Sequence, residues 1–308
     1  SSDLPLGTET VADWSVGPTY PTSNGSYLAI DAAGNVYLTG YTSVADAFVR
    51  KYKSDGTLDA TFGVGGVVSP IQIGGVDHRP RAIFHTGAPD NKLVVASFKT
   101  APLQLFTVDA STGALGATVV DTPGDPTENG LNNGNDIWSG IAYDPATKTL
   151  YGNAQCDLVT LTGASSTLND LTTFNTRTFL TRHGRRNTDD NDLAFDAASG
   201  LIAYSVRQNA VSLQDQRVAL YEIATGRETV VGDIPGTDNN ISGYTGLAFF
   251  RSSGNLYLAA TGSASKAIKI FLVDTTPAPA PSWTWEKRVD ISSVLPTGAR
   301  AKNIDTDS

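Results

Sequence analysis

Leu28-Ala29-Ile30-Asp31, followed after a short turn by Gly34-Asn35-Val36-Tyr37-Leu38, reads as an apolar run, an acidic turn and a second β-rich run. The same order returns as Ala82-Ile83-Phe84-His85 with Lys92-Leu93-Val94-Val95, and as Ile141-Ala142-Tyr143-Asp144 with Thr149-Leu150-Tyr151. It recurs in Leu193-Ala194-Phe195-Asp196 with Gly200-Leu201-Ile202-Ala203-Tyr204, and in Leu247-Ala248-Phe249-Phe250 with Gly254-Asn255-Leu256-Tyr257-Leu258. Between the shared alanines the spacings are 53, 60, 52 and 54 residues. So steady a period marks a chain built from one repeated supersecondary unit.

Working outward, each unit holds two further β-type runs. The third runs are 48–52, 103–108, 218–223 and 268–273, with a weaker one at 158–161; the fourth are 67–73, 115–120, 176–181, 228–231 and 283–291. Asp55-Gly56, Thr112-Gly113 and Thr225-Gly226 punctuate them, glycine supplying the positive φ of a tight hairpin. No convincing helical period is present. Four short antiparallel strands repeated about every 50 residues describe the blades of a β-propeller, in which neighbouring blades cover each other's faces. The expectation is one all-β domain over 1–308, with five four-stranded blades at 27–76, 77–134, 135–188, 189–240 and 241–292. Residues 1–26 and 293–308 act as closing segments. Six blades, one assembled from both termini, is the alternative, because Asn303-Ile304-Asp305 resembles the start of another unit. The Pro277–Pro281 run falls between a third and a fourth strand and reads as a stiff hairpin loop.

Residues 31–56, from Asp31-Ala32-Ala33-Gly34-Asn35-Val36-Tyr37 through Phe48-Val49-Arg50-Lys51-Tyr52 to Asp55-Gly56, resemble the β-propeller repeat of exported bacterial proteins. The continuation Thr57-Leu58-Asp59-Ala60-Thr61-Phe62-Gly63-Val64-Gly65-Gly66-Val67 is similar to the related delta-sixty repeat. The resemblance is clear over about residues 31–68 and implies a secreted or surface propeller. These families carry no common catalytic residues, so it assigns no chemistry.

Composition narrows the function classes. A net charge of −9 over 308 residues disfavours nucleic acid, which needs clustered Lys and Arg. Apolar residues make up 40% and charged residues only 17%, the opposite of a disordered composition. No run reaches the ~18 apolar residues of a membrane-spanning helix. The chain contains no methionine, which suggests processing with a targeting segment already removed. The single cysteine, Cys156, allows no internal disulfide and reads as a buried strand residue. A secreted or cell-surface monomer is the expectation.

In a propeller the first strand of each blade lines the central channel. Four positions before the shared alanines stand Gly25, His78, Trp138, Asp190 and Tyr244; one position later stand Ser26, Arg79, Ser139, Asn191 and Thr245. Of these, His78, Arg79, Trp138, Asp190, Asn191 and Tyr244 form the expected ligand site, which mixes aromatic, cationic and amide groups as a glycan or another polar small molecule requires. The alternative is a glycosidase- or lactonase-like hydrolase using Asp77, Asp136 and Asp190, since such enzymes need carboxylates about 5–10 Å apart. No cofactor is expected. Calcium is the candidate ion, on Asp189, Asp190 and Asp192, although these lack the spacing of a calcium loop. The three histidines, His78, His85 and His183, show no zinc spacing. The basic stretch Arg182-His183-Gly184-Arg185-Arg186 reads as a surface loop neutralised by the acids that follow it.

Overall fold

The computed structural model describes residues 27–41, 47–71, 79–97, 104–120, 138–154, 157–181, 183, 192–207, 216–230, 244–262, 267–275 and 282–290. These residues form five four-stranded antiparallel sheets and one three-residue 3₁₀ turn, Leu171–Thr173. Sheet 1 holds β1 (Tyr27–Ile30), β2 (Val36–Tyr41), β3 (Ala47–Tyr52) and β4 (Val67–Ile71). Sheet 2 holds β5 (Pro80–His85), β6 (Lys92–Ser97), β7 (Gln104–Asp109) and β8 (Leu115–Val120). Sheet 3 is made of β9 (Trp138–Asp144), β10 (Thr149–Ala154), β11 (Asp157–Thr162) and β12 (Thr176–Phe179). Sheet 4 comprises β13 (Leu193–Asp196), β14 (Leu201–Arg207), β15 (Gln216–Glu222) and β16 (Arg227–Val230). Sheet 5 comprises β17 (Tyr244–Ser252), β18 (Asn255–Gly262), β19 (Ala267–Asp274) and β20 (Ser282–Asp290). Strands lie in chain order in every sheet, so all connections within a sheet join neighbours.

The acidic turn of the repeat explains the first hairpin. In sheet 1 the Asp31 carboxylate accepts hydrogen bonds from the backbone N–H groups of Ala33 at 3.0 Å and Asn35 at 2.9 Å, while Gly34 adopts a φ of 77°. An aspartate side chain satisfying the turn amides two and four residues on is what makes Asp a turn former. Sheet 4 repeats the plan: Asp196 accepts from the Ser199 amide at 2.9 Å.

The sheets pack face to face in sequence. Strand β14 shows why its sequence is an almost unbroken apolar run. Ile202, Tyr204 and Val206 enter the core shared with sheet 3, whereas Leu201 and Ala203 enter the core shared with sheet 5. A strand covered on both faces loses the polar alternation of a half-exposed one. Two further cores fill the sheet 1–sheet 2 and sheet 2–sheet 3 junctions. The consecutive first strands β1, β5, β9, β13 and β17 lie side by side at the inner end of the sheets. On the outer strand β4, the exposed Ser69 and Pro70 interrupt the apolar pattern, and proline on an edge blocks pairing with another chain.

Candidate functional site

The first strands surround a cavity of about 830 Å³ lined by residues from all five sheets. Leu28, Ile30, Ala82, Phe84, Ile141, Ala194 and Phe249 give it apolar walls. Its polar lining is concentrated where these strands run into their first turns, with Asp31, His85, Asn91, Asp196 and Arg251. The volume lies within the ~300–1,000 Å³ range of small-molecule sites.

Each rim group is held from behind. Asp31 also accepts from the Asn35 amide side chain at 2.8 Å and the Tyr37 hydroxyl at 3.0 Å. Burial pushes its carboxyl up, but these hydrogen bonds outweigh burial and leave it below the usual carboxylate range. The single Tyr37 hydroxyl proton is shared between Asp31 and the Ala110 carbonyl of sheet 2, also at 3.0 Å, tying the rim to the sheet junction. The His85 ring stacks on Tyr37, centroids 5.7 Å apart and planes 7° apart, and its Nε2 lies 3.1 Å from the Asn91 Oδ1. Across the cavity, Asp196 of sheet 4 pairs with the Arg251 guanidinium of sheet 5 at 2.6 Å. The Arg251 side chain is 46% exposed and leaves donors directed to solvent or ligand. The rim thus presents carboxylate, amide, imidazole and guanidinium groups above aromatic and aliphatic walls.

This rim lies at the trailing ends of the first strands, whereas the sequence reading looked to their leading ends. Asp77, His78, Asp136, Asp189, Asp190 and Asn191 lie outside the described residues, as do Cys156 and, His183 apart, the basic loop. For Tyr244 the backbone pairs with Gly262, but its side chain is outside the described set. Trp138 requires a correction: it is 1% exposed and sits in the core between sheets 2 and 3, so it offers no stacking face. A register shift between β9 and β10 at Asn153/Ala154 brings Trp138 onto the face that carries Ile141 and Tyr143. Of the three candidate calcium carboxylates only Asp192 is described: it lines the cavity, and its two carboxylate oxygens accept the backbone N–H groups of Leu193 and Leu247, each at 2.8 Å, stapling sheet 4 to sheet 5. Arg79 stacks over Tyr41 away from the cavity. The missed rim was present in the alignment. Two positions after the shared alanine stand Asp31, Phe84, Asp144, Asp196 and Phe250, and one later stand His85 and Arg251.

A second polar cluster, not anticipated from the sequence, links sheets 3 and 4. His183 Nε2 lies 2.7 Å from Glu228 Oε1 and 3.2 Å from the Tyr204 hydroxyl, and Tyr204 donates to the same carboxylate oxygen. The His183 amide donates to Asp157 at 2.6 Å, and Thr181 Oγ1 lies 2.9 Å from the Tyr204 hydroxyl. The hydrogen bond to Glu228 raises the His183 pKa against the opposing effect of burial. Burial raises that of Glu228, but its bonds to His183 and Tyr204 prevail and lower it. The histidine contribution is therefore complete below about pH 6.5 and is lost as pH rises through the raised value. The glutamate contribution is complete above about pH 4.5 and is lost as pH falls through the lowered one. Stability measured by urea unfolding should fall between mildly acidic and alkaline pH. Glu228→Gln should remove about 1–3 kcal/mol near pH 6 and flatten that dependence. Equal pH dependence in the two proteins would contradict the assignment.

No protein-family model matches the chain, and no curated protein matches it in sequence. Solved structures do match. The β-propeller domain of Cps50 (Swd1) from Myceliophteria thermophila superposes with a TM-score of 0.51 at 12% identity, covering 92% of this chain and 77% of that one.

The fold is a β-propeller.

The SapL1 lectin, solved with alpha methyl fucoside, also matches this propeller at a TM-score of 0.51 and 12% identity, covering 86% of this chain and 81% of that one. Dihydro-heme d1 dehydrogenase NirN matches at 0.47 and 14% identity over 87% of this propeller, which spans only 46% of that chain. Among the described residues no helix is long and apolar enough to cross a membrane.

Proposed function

We propose that this propeller is a secreted or cell-surface binding module that takes a carbohydrate, or another polar extracellular ligand of similar size, in its central cavity. The observation that carries this reading is the rim, where Asp31, His85, Asn91, Asp196 and Arg251 stand beside the Phe84, Phe195 and Phe250 rings. A sugar needs carboxylate, amide and cationic partners for its hydroxyls and an apolar surface for its C–H face. The second-layer contacts from Tyr37 to Asp31 and His85 hold two of these groups before any ligand arrives, which reduces the ordering cost of binding. A lectin among the structural neighbours supports a glycan in particular, and the resemblance of residues 31–68 to repeats of exported proteins supports the location.

Calorimetric titration with methyl glycosides of neutral hexoses and deoxyhexoses tests the reading. At least one is expected to bind, and Asp196→Asn should weaken it by about tenfold, the loss of one charged hydrogen-bond partner. If no glycoside binds, or if Asp196→Asn binds as the parent does, the reading is wrong.

A further inference from the structure

At the opposite, leading end of β5, three buried polar atoms on neighbouring residues have no hydrogen-bond partner among the described residues. Sheet 2 packs on sheet 1 through the cross-strand pairs Leu93–Val108 and Val95–Phe106, and the next pair in the same register is Ser97–Gln104. Two polar side chains therefore continue an apolar row. Ser97 is 1% and Gln104 5% exposed, and among the described residues neither the Ser97 hydroxyl nor the Gln104 Oε1 has a hydrogen-bond partner. Pro80 pairs with Ser97, which places Arg79 beside them. The Arg79 guanidinium lies 5.1 Å from the centre of the Tyr41 ring of sheet 1, and among the described residues its buried Nε meets no acceptor and no carboxylate pairs with it. An unmet buried polar atom costs about 1–3 kcal/mol, and natural chains tolerate few of them. Three on neighbouring residues, Ser97 paired with both Pro80 and Gln104, leave donors and an acceptor open to a ligand.

We propose that Arg79, Ser97 and Gln104 form a second ligand site, between sheets 1 and 2, for a small hydroxylated carboxylate of the sugar-acid class. Guanidinium and serine hydroxyl donors match a carboxylate, and Tyr41 holds the guanidinium plane by stacking. Gln104 Oε1 can only accept, so it calls for a hydroxyl on the same ligand. The site is independent of the central cavity. It lies at the other end of the strand, about 20 Å away for six residues of extended chain.

The test is calorimetric titration of the whole chain with sodium glucuronate, with sodium sulfate as an oxyanion lacking hydroxyls. Glucuronate should bind more tightly than sulfate, and Arg79→Gln should weaken it by about tenfold or more. Ser97→Ala should weaken it about threefold while leaving the melting temperature of the ligand-free protein unchanged or higher, because that hydroxyl has no partner to lose. The proposal is overturned by absence of glucuronate binding, by sulfate binding as tightly, or by unchanged binding in Arg79→Gln. A lowered melting temperature in ligand-free Ser97→Ala would show the hydroxyl already satisfied and would overturn it equally.

Discussion

Phe62→Ala is expected to remove about 3–5 kcal/mol of folding stability, the range for truncating a buried aromatic ring. Phe62 belongs to the glycine-rich segment after β3, yet it is fully buried in the core between sheets 1 and 2. Its ring meets Tyr37 edge to face at 6.0 Å and lies 6.0 Å from the Lys51 ammonium. Lys51 is itself buried, bonded to the Ala110 carbonyl at 3.1 Å and paired with Asp59 at 3.4 Å. The segment is further pinned by the Gly63 amide, which donates to the Thr112 carbonyl of sheet 2 at 2.9 Å. The approach there is so close that a Cβ on Gly113 would collide with the Gly63 backbone. Losing the ring therefore opens a cavity at the junction and exposes a buried ammonium. Val64, at the tip of the same loop and 89% exposed, is the control: Val64→Ala should stay within about 0.5 kcal/mol. Urea unfolding of the two variants checks the contrast, and a Phe62→Ala cost below about 1 kcal/mol would contradict the packing described.

The second large effect belongs to Trp138. Trp138→Ala is expected to cost about 3–5 kcal/mol, because its indole fills the core between sheets 2 and 3. Gly152 faces that ring so closely that any Cβ would enter it, so Gly152→Ala should also destabilise, by about 1–3 kcal/mol. Both variants should bind any cavity ligand as the parent does at temperatures where they remain folded. Selective loss of binding with parental stability would instead restore Trp138 to the ligand site.

These residues show how far the sequence could be read. The strand pattern was legible because the alanine-centred unit recurs at a near-constant period. Even the weak third run at 158–161 is a full strand, β11. What counting residues could not register was the irregularity at the leading ends of the first strands. Register shifts at Pro80/Ala82, beside Trp138 and at Tyr244/Gly246 change which face a residue presents, so an alignment by sequence position misplaces side chains there. The cavity rim was visible as the acidic end of each apolar run. Asp31 and Asp196 were read as turn formers, and the structure shows them making turns and lining the cavity together. The His183–Glu228–Tyr204 cluster was beyond sequence reasoning, because it joins a residue of the segment after β12 to two strands of sheet 4, 21 and 45 positions further on.

Amide hydrogen exchange with and without a bound methyl glycoside tests the central claim, that the cavity among the first strands is the ligand site. The account predicts slowed exchange confined to residues 28–33, 82–91, 141–145, 192–198 and 247–251, with the outer strands Leu115–Val120 and Arg227–Val230 unchanged. Slowed exchange on those outer strands, with the first strands and their turns unaffected, would contradict it.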